Sequence, residues 1–205
     1  MPETLTAPGS LTERKRRHAR QRIIEAADEL FAANGFDNVS VTDIAARAEV
    51  GRTTFFRYFG DKAEVVFARE QEILETITDQ AGGDSVGAAV TLAEAIDQLR
   101  PIVLDLCDRL SANAKGYALH YELIEKHSEL RERDALKTQR IAHQLSALLI
   151  ARGTDEPTAV LAGQIALACC QAAQHRAKTA RTLTAETRSA FDQVASLGSA
   201  AASHG

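Results

Sequence analysis

Residues 41–59 read VTDIAARAEVGRTTFFRYF, and this stretch decides the fold. Ser40 is a good N-cap for a short helix over about 41–48. A turn that contains Gly51 follows. A second short helix, over 52–59, has two phenylalanines four residues apart on its inner face. Two short helices around a tight turn are typical of a helix-turn-helix, in which the start of the second helix can reach base edges.

Helical periodicity continues on both sides of this stretch. Apolar residues recur at intervals of three and four over 11–34, and Gly35 follows as a helix stop. Asp61 can cap one long helix that carries apolar residues as far as Ile77. A later helix meets Pro101, which either kinks it or starts the next one. Alternating β-rich runs of useful length are missing from the sequence, so we predict an all-α fold with about nine helices.

The predicted helices divide the chain into three parts. Residues 1–10 contain two prolines, a glycine and polar residues, and are expected to form a disordered tail. We place a helix-turn-helix domain over 11–60 and a larger helical domain over 61–205. The length of 205 residues is sufficient for such an arrangement with a sizeable core.

The distribution of charge matters more than its sum. Taken alone, the net charge of -4 argues against a nucleic-acid partner. Residues 1–68, however, hold 10 basic and 10 acidic side chains, and the excess acid lies beyond them. Six basic residues fall within 14–22, where no acid occurs, and Arg52, Arg57 and Lys62 form a second cluster. The charge therefore does not exclude DNA, although a basic run can also be a solvated helix face.

Several other classes of protein do not fit. No apolar run approaches the ~20 residues that span a bilayer, and the first ten residues lack the apolar stretch of a secretory signal. The three cysteines show no CxxC or Cys/His metal spacing. We therefore expect a cytoplasmic protein with reduced thiols, no metal, no cofactor and no membrane partner.

The residues of the central stretch resemble the DNA-binding region of the TetR family of transcriptional regulators. Val41 to Ala45, Val50 to Phe59 and Lys62 carry most of the resemblance, which covers about residues 19–66. It implies that helix 52–59 lies in the major groove of a double-stranded DNA operator. Bases would be read by Arg52, Thr53 and Thr54, and phosphates held by Ser40, Thr42, Tyr58 and Lys62. The remaining candidate DNA contacts are Arg57, which suits either purpose, Phe56, and the basic residues Arg14, Lys15 and Arg17.

The sequence departs from the family pattern at two positions. Phe56 stands where a tyrosine is common, and Gly51 where a serine or threonine is common, so two small polar contacts to phosphate would be missing. The basic run before the first helix is expected to compensate. Removing residues 1–17 should then lower the salt dependence of operator binding.

The resemblance also implies that residues 61–205 dimerise and enclose a small-molecule pocket. We predict a homodimer through helices over about 156–178 and 184–198. On the first of these, small residues form a stripe beside an apolar one, which indicates either a dimer contact or an unusually buried central helix. The stripe consists of Ala162, Ala166, Cys170 and Ala173.

Candidate pocket residues are polar or aromatic side chains on otherwise apolar helix faces. Such a lining suits a small apolar or amphipathic effector. Each of these side chains could equally be an ordinary core residue. They are Cys107, Tyr117, His120, Tyr121, Ile124, His143 and Cys169.

Three functions compete at this point. The first is a repressor that a ligand releases from a palindromic operator. The second is a DNA-binding regulator without a small-molecule effector, controlled by cysteine redox chemistry or by a protein partner. The third is an enzyme using His120, Glu122 and His143 as acids or bases. No nucleophile elbow, metal spacing or phosphate loop supports the third, so we predict that the protein is not an enzyme.

Overall fold

The computed structural model describes residues 11–81, 86–177 and 179–202, and that part of the chain consists of ten α-helices without a β-strand. The all-α prediction is therefore confirmed. One more helix is present than expected because the long helix predicted from Asp61 is interrupted at Phe67. The predicted tail, residues 1–10, lies outside the described residues.

The first three helices follow the predicted pattern, and the fourth and fifth stand where one long helix was expected. Gly35 ends the first helix with a φ of 77°, in the left-handed region that favours glycine. Asp61 caps the fourth helix, its Oδ1 atom accepting from the amide of Glu64 at 2.8 Å. The helices are α1 (Leu11–Asn34), α2 (Val41–Arg47), α3 (Arg52–Tyr58), α4 (Lys62–Val66) and α5 (Ala68–Ala81).

The remaining five helices are longer. Thr91 opens the first of them with a capping box to Glu94. Pro101 lies inside that helix rather than at its start, and Asn113 separates it from the next. The helices are α6 (Leu92–Ala112), α7 (Ala114–Lys126), α8 (Ser128–Ala151), α9 (Glu156–Arg176) and α10 (Ala180–Ala202). None of the helices in the described residues is long and apolar enough to cross a membrane.

The chain divides into two compact units, the first ending at Ala68 and the second starting at Arg69. This division falls eight residues beyond the boundary that we expected after residue 60. The reason is that α4 packs against α1 and buries Ala63 and Val65. The segment after α3 therefore completes the core of the first unit.

The core of the first unit is formed by one face of α1 and the inner faces of α2 and α3. Ile23, Ala27, Ile44 and Phe55 are completely buried in it. Leu30, one of the apolar residues that recur along α1, is only half-buried. The neighbouring Phe31 takes the inward position in this turn of α1.

The core of the second unit surrounds α9, which packs against α6, α8 and α10. The small residues Ala162, Ala166 and Ala173 are fully buried there. These three residues therefore face the core of this unit rather than a second copy, as in the alternative interpretation of the stripe, while Val160 and Leu161 on another side of α9 stay exposed. Small side chains on α9 permit close approach of three neighbouring helices, which explains the stripe without a partner.

Candidate nucleic-acid interface

Two backbone hydrogen bonds end α2 at the turn that leads to α3. The amide of Val50 donates to the carbonyl of Ala45 at 2.9 Å, and the amide of Glu49 to that of Ala46 at 3.1 Å. This pair of hydrogen bonds is a Schellman motif, and it requires a left-handed residue at position 49. Glu49 adopts a φ of 53° there. The left-handed residue of the turn is thus Glu49, whereas Gly51 has an ordinary φ of -72°.

The recognition helix α3 presents two different faces. Phe55 and Phe59 are buried and hold the helix against its neighbours. Arg52, Thr53, Phe56 and Arg57 are exposed, and Thr54 and Tyr58 are half-buried. Phe56 shows 49% of its surface, an unusual exposure for a large apolar ring. All six of the residues that we predicted on this helix therefore remain at least partly accessible to a partner.

Arg57 contacts two neighbouring side chains on the exposed side of α3. Its guanidinium donates to Thr54 Oγ1 at 3.2 Å and lies 5.7 Å from the centre of the Tyr58 ring. Three of the predicted contact residues thus touch one another. A change at Thr54 is expected to disturb Arg57 as well.

The start of α2 carries two further candidates. Ser40 forms a capping box with Asp43: its Oγ accepts from the Asp43 amide at 3.2 Å, and its amide donates to Asp43 Oδ2 at 2.9 Å. The Ser40 hydroxyl also donates to the same carboxylate at 2.6 Å. These hydrogen bonds lower the pKa of Asp43 from its ordinary value. The Ser40 hydroxyl would have to leave Asp43 to donate to a phosphate, whereas Thr42 is exposed.

The basic run lies on the first turns of α1, which starts at Leu11. Arg14, Lys15 and Arg17 are exposed there, as a phosphate contact requires. Arg20 differs from them. Its guanidinium donates to the carbonyl of Ala68 at 2.6 Å and lies 5.6 Å from the centre of the Phe59 ring, so it contributes to the packing of the unit.

Lys62 also differs from the expected solvent-facing contact. Its ammonium donates to the carbonyl of Phe36 at 2.7 Å and to that of Val39 at 3.0 Å, and it approaches the carbonyl of Asp37 at 3.5 Å. The spacing of 23 or more residues between these partners leaves no local signal in the sequence. Only the family resemblance pointed to this position, and it implied a different role.

The second unit brings together part of the predicted pocket set. The rings of Tyr117 and Tyr121 lie 4.6 Å apart, and the ring of His120 is 5.2 Å from that of Tyr121. Burial raises the pKa of both tyrosines. Ile124, one turn further along α7, is buried, and His120 Nε2 is 3.8 Å from a carboxylate oxygen of Asp134.

The cysteines are arranged differently from our prediction. Cys107 Sγ lies 3.3 Å from Thr187 Oγ1. A hydrogen bond between the thiols of Cys107 and Cys170 lowers the pKa of Cys107 and raises that of Cys170. Cys170, rather than Cys169, is therefore the α9 cysteine beside the α7 tyrosines. Cys169 points into the apolar core, where burial raises its pKa.

His143 is not part of this group. It is exposed on α8, whose inward face is formed by Ala142, Leu145 and Leu149. Helical spacing already separates the two sides here, because Ile141, Leu145, Leu148 and Leu149 share one face of α8 and His143 lies opposite to it.

The fold and the exposed face of α3 define a helix-turn-helix protein. Residues 23–68 match the family described as bacterial regulatory proteins, tetR family. This match confirms the resemblance predicted over residues 19–66.

Curated relatives are similar to this chain over the same region. The regulator TcmR of Streptomyces glaucescens is 42% identical over 66 residues, or 31% of this chain and 29% of TcmR. The chain matches less than half the length of the first curated relatives. These relatives are named as transcriptional regulators.

Solved structures extend the likeness to both units. A TetR-family regulator from Syntrophomonas wolfei has a TM-score of 0.59 at 19% identity, covering 87% of this chain and 95% of that one. Thermus thermophilus FadR, a TetR-family repressor in complex with lauroyl-CoA, has a TM-score of 0.54 at 20% identity, covering 84% and 91% of the two chains. At these identities the likeness establishes the TetR-type fold.

Proposed function

We propose that the protein is a transcriptional repressor that binds a palindromic DNA operator as a homodimer and leaves it when a small molecule binds. The observation that carries the DNA-binding part is the exposed side of α3. Arg52, Thr53, Phe56 and Arg57 are exposed there, while Phe55 and Phe59 on the other side of the helix are buried. This role requires the protein to work where the DNA is, in the cytoplasm.

The proposed DNA contacts fall into base contacts and phosphate contacts. An arginine can pair with guanine through two hydrogen bonds, and a threonine methyl group can touch thymine, so we assign base contacts to Arg52, Thr53 and Thr54. Arg57 joins them through its hydrogen bond to Thr54. Phosphate contacts are assigned to the other exposed or half-buried polar candidates, which are Ser40, Thr42, Tyr58, Arg14, Lys15 and Arg17. Phe56 is suited to apolar contact with a thymine methyl group or a deoxyribose.

The homodimer is proposed through the outer faces of α9 and α10. Residues 160–171 contain no charged side chain, yet Val160 and Leu161 are 42% and 50% exposed. On α10, Leu197 is 72% exposed, and Asp192 is paired with Arg100 of the same chain at 2.5 Å. Exposed apolar residues without charge are typical of a subunit contact. A two-fold axis between two such copies would match a palindromic operator.

The effector is proposed to bind beside the α7 aromatic residues. Tyr117, His120 and Tyr121 supply ring surface and hydrogen-bonding groups, and Ile124 and Cys107 supply apolar surface. This combination suits an apolar or amphipathic molecule with one or two polar groups. If the effector binds preferentially to a form of the dimer whose two recognition helices do not match the spacing of the operator half-sites, its binding releases the DNA.

A second regulatory signal is favoured by one observation, the contact between the Cys107 and Cys170 thiols. With hydrogen peroxide as oxidant, the Cys107 sulfur forms an S–O bond while the O–O bond breaks, and the Cys107 thiol proton joins the departing hydroxide, so that a sulfenic acid and water result. The Cys170 sulfur then forms the S–S bond while the S–O bond breaks, and the Cys170 thiol proton leaves with the hydroxide as a second water. Two thiols are oxidised and one peroxide is reduced, and α6 becomes linked to α9.

Selection of bound DNA from a random duplex pool tests the proposed function. We expect an inverted repeat whose half-sites are separated by about one helical turn or a multiple of it. Recovery of no preferred sequence would contradict the proposal. Peroxide added to the recovered complex separates the two signals: oxidative release that is lost in Cys170→Ser but kept in Cys169→Ser supports redox control.

A further inference from the structure

The α1–α2 turn, residues 36–39, is held by one lysine from another helix. The carbonyls of Phe36, Asp37 and Val39 converge on the ammonium of Lys62, at 2.7, 3.5 and 3.0 Å. The same ammonium lies 4.3 Å from the centre of the Phe36 ring, close enough for a cation–π contact. Lys62 is half-buried as a result.

The carbonyls engage most of the donors of the side chain. An ammonium group has three N–H donors and no acceptor. Two hydrogen bonds of ordinary length, to Phe36 and Val39, fix the ammonium, and the carbonyl of Asp37 lies at a longer distance of 3.5 Å. A phosphate contact at Lys62 would therefore compete with carbonyls that hold the turn.

The turn in question fixes the start of α2. Its last residue, Val39, is buried and directly precedes Ser40, whose capping box begins the helix. A further hydrogen bond, from Asn38 Nδ2 to the carbonyl of Asn34 at 2.9 Å, ties the turn to α1. Since α2 packs against α3, the turn also helps to set the position of the recognition helix.

We propose that Lys62 is a positioning residue for DNA reading, which holds the α1–α2 turn through its backbone carbonyls, and that it does not itself bind phosphate. The inference rests on the proposed function, because it concerns how the first unit presents α3 to DNA. It assigns to Lys62 a role different from the one that the family resemblance implied.

The test compares Lys62→Arg and Lys62→Met with the wild-type full chain. Lys15→Met is the matched control, since Lys15 is exposed and retains the proposed phosphate role. Kd is measured over a series of salt concentrations, on the duplex recovered with the wild-type protein from a random pool and on a scrambled duplex. Circular dichroism defines a temperature at which each variant is folded.

A positioning role predicts that Lys62→Arg binds the recovered duplex about tenfold more weakly, comparable to losing one base contact, with an unchanged salt slope. A planar guanidinium keeps the charge but cannot direct three N–H groups into one turn. Binding to the scrambled duplex should stay the same. Lys15→Met should instead weaken both duplexes and lower the slope by about 1.8, because each homodimer loses two phosphate contacts.

Two outcomes would overturn the inference. If Lys62→Arg binds like the wild type while Lys62→Met loses about 1.8 in slope, Lys62 is a phosphate contact in both subunits. If both variants bind like the wild type, its carbonyl contacts serve stability alone. Failure of the wild-type protein to recover any preferred duplex would instead overturn the proposed function, and the inference with it.

A measurement on the wild-type complex covers the case in which the variants do not fold. Scalar coupling between the side-chain nitrogen of Lys62 and a DNA phosphorus nucleus would report a direct hydrogen bond. We expect none at Lys62, and its detection would contradict the inference.

Discussion

The two units of this protein reach their structures by different means. In the first, polar side chains fasten short helices and turns: Ser40 and Asp61 cap them, and Lys62 and Arg20 reach backbone carbonyls far away in sequence. In the second, long helices pack closely through small residues around α9. Apart from α1, the helices of the first unit have only five to seven residues and little apolar area each, so they depend more on capping and on contacts from distant side chains. Substitutions should therefore act differently in the two units.

The largest expected effect lies in the second unit, at Gly163. A Cβ atom there would meet Ser146 Oγ at 2.4 Å and the backbone carbonyl of Ala142 at 2.8 Å. Gly163→Ala should therefore lower the free energy of unfolding of this unit by about 1–3 kcal/mol, although alanine is the better helix former. Urea unfolding followed by circular dichroism measures the change.

The double variant with Ser146→Ala is the control for this prediction. Removal of the hydroxyl should restore part of the lost stability but not all of it, because the Ala142 carbonyl remains. If Gly163→Ala alone is as stable as the wild type, the close approach of α8 and α9 is not as described.

A smaller change in stability, and a gain rather than a loss, is expected in the first unit at Glu49. Its left-handed conformation costs a residue with a side chain about 1 kcal/mol that glycine does not incur. Glu49→Gly should raise the melting temperature of the first unit, with a gain of about 0.5–1 kcal/mol after the entropy of the unfolded glycine is subtracted. Differential scanning calorimetry provides the measurement.

Glu49→Ala separates this backbone effect from the loss of charge. It also removes the carboxylate that lies 3.7 Å from Arg22, an exposed pair of small value, but it keeps the Cβ atom. Equal melting temperatures for the alanine and glycine variants would show that glycine at position 49 relieves no backbone strain.

The smallest effect is expected at Gly51, the N-cap of α3. No side chain caps this helix, and a Cβ atom at position 51 would meet nothing within 4 Å. Gly51→Ser should stabilise the first unit by a few tenths of a kcal/mol, with Gly51→Ala as the variant that adds a Cβ but no hydroxyl. A lower melting temperature for Gly51→Ser than for Gly51→Ala would contradict the capping explanation.

The sequence predicted the helical elements well because their signals are local. The caps at Ser40 and Asp61, the stop at Gly35 and the inner face with Phe55 were all readable from neighbouring residues. The carbonyl contacts of Lys62 were not, because its partners lie 23 to 26 residues away and are backbone atoms.

The candidate pocket was predictable only in part. Tyr117, His120 and Tyr121 share one helix, so helical spacing was enough to group them. The choice between the neighbouring Cys169 and Cys170 depends on how α9 is rotated against three other helices. With buried residues on most of its sides, α9 gives no single apolar face from which that rotation could be read.

The central claim is that the exposed side of α3 reads DNA bases, and repeating the DNA selection with single variants tests it most directly. Thr54→Ala and Arg52→Ala are compared with Arg140→Ala, an exposed arginine on α8 that serves as the control. We predict that each α3 variant loses preference at one or two base pairs of both half-sites, at a cost of about 1–3 kcal/mol, while Arg140→Ala recovers the wild-type sequence. Recovery of the wild-type sequence by both α3 variants would contradict the claim.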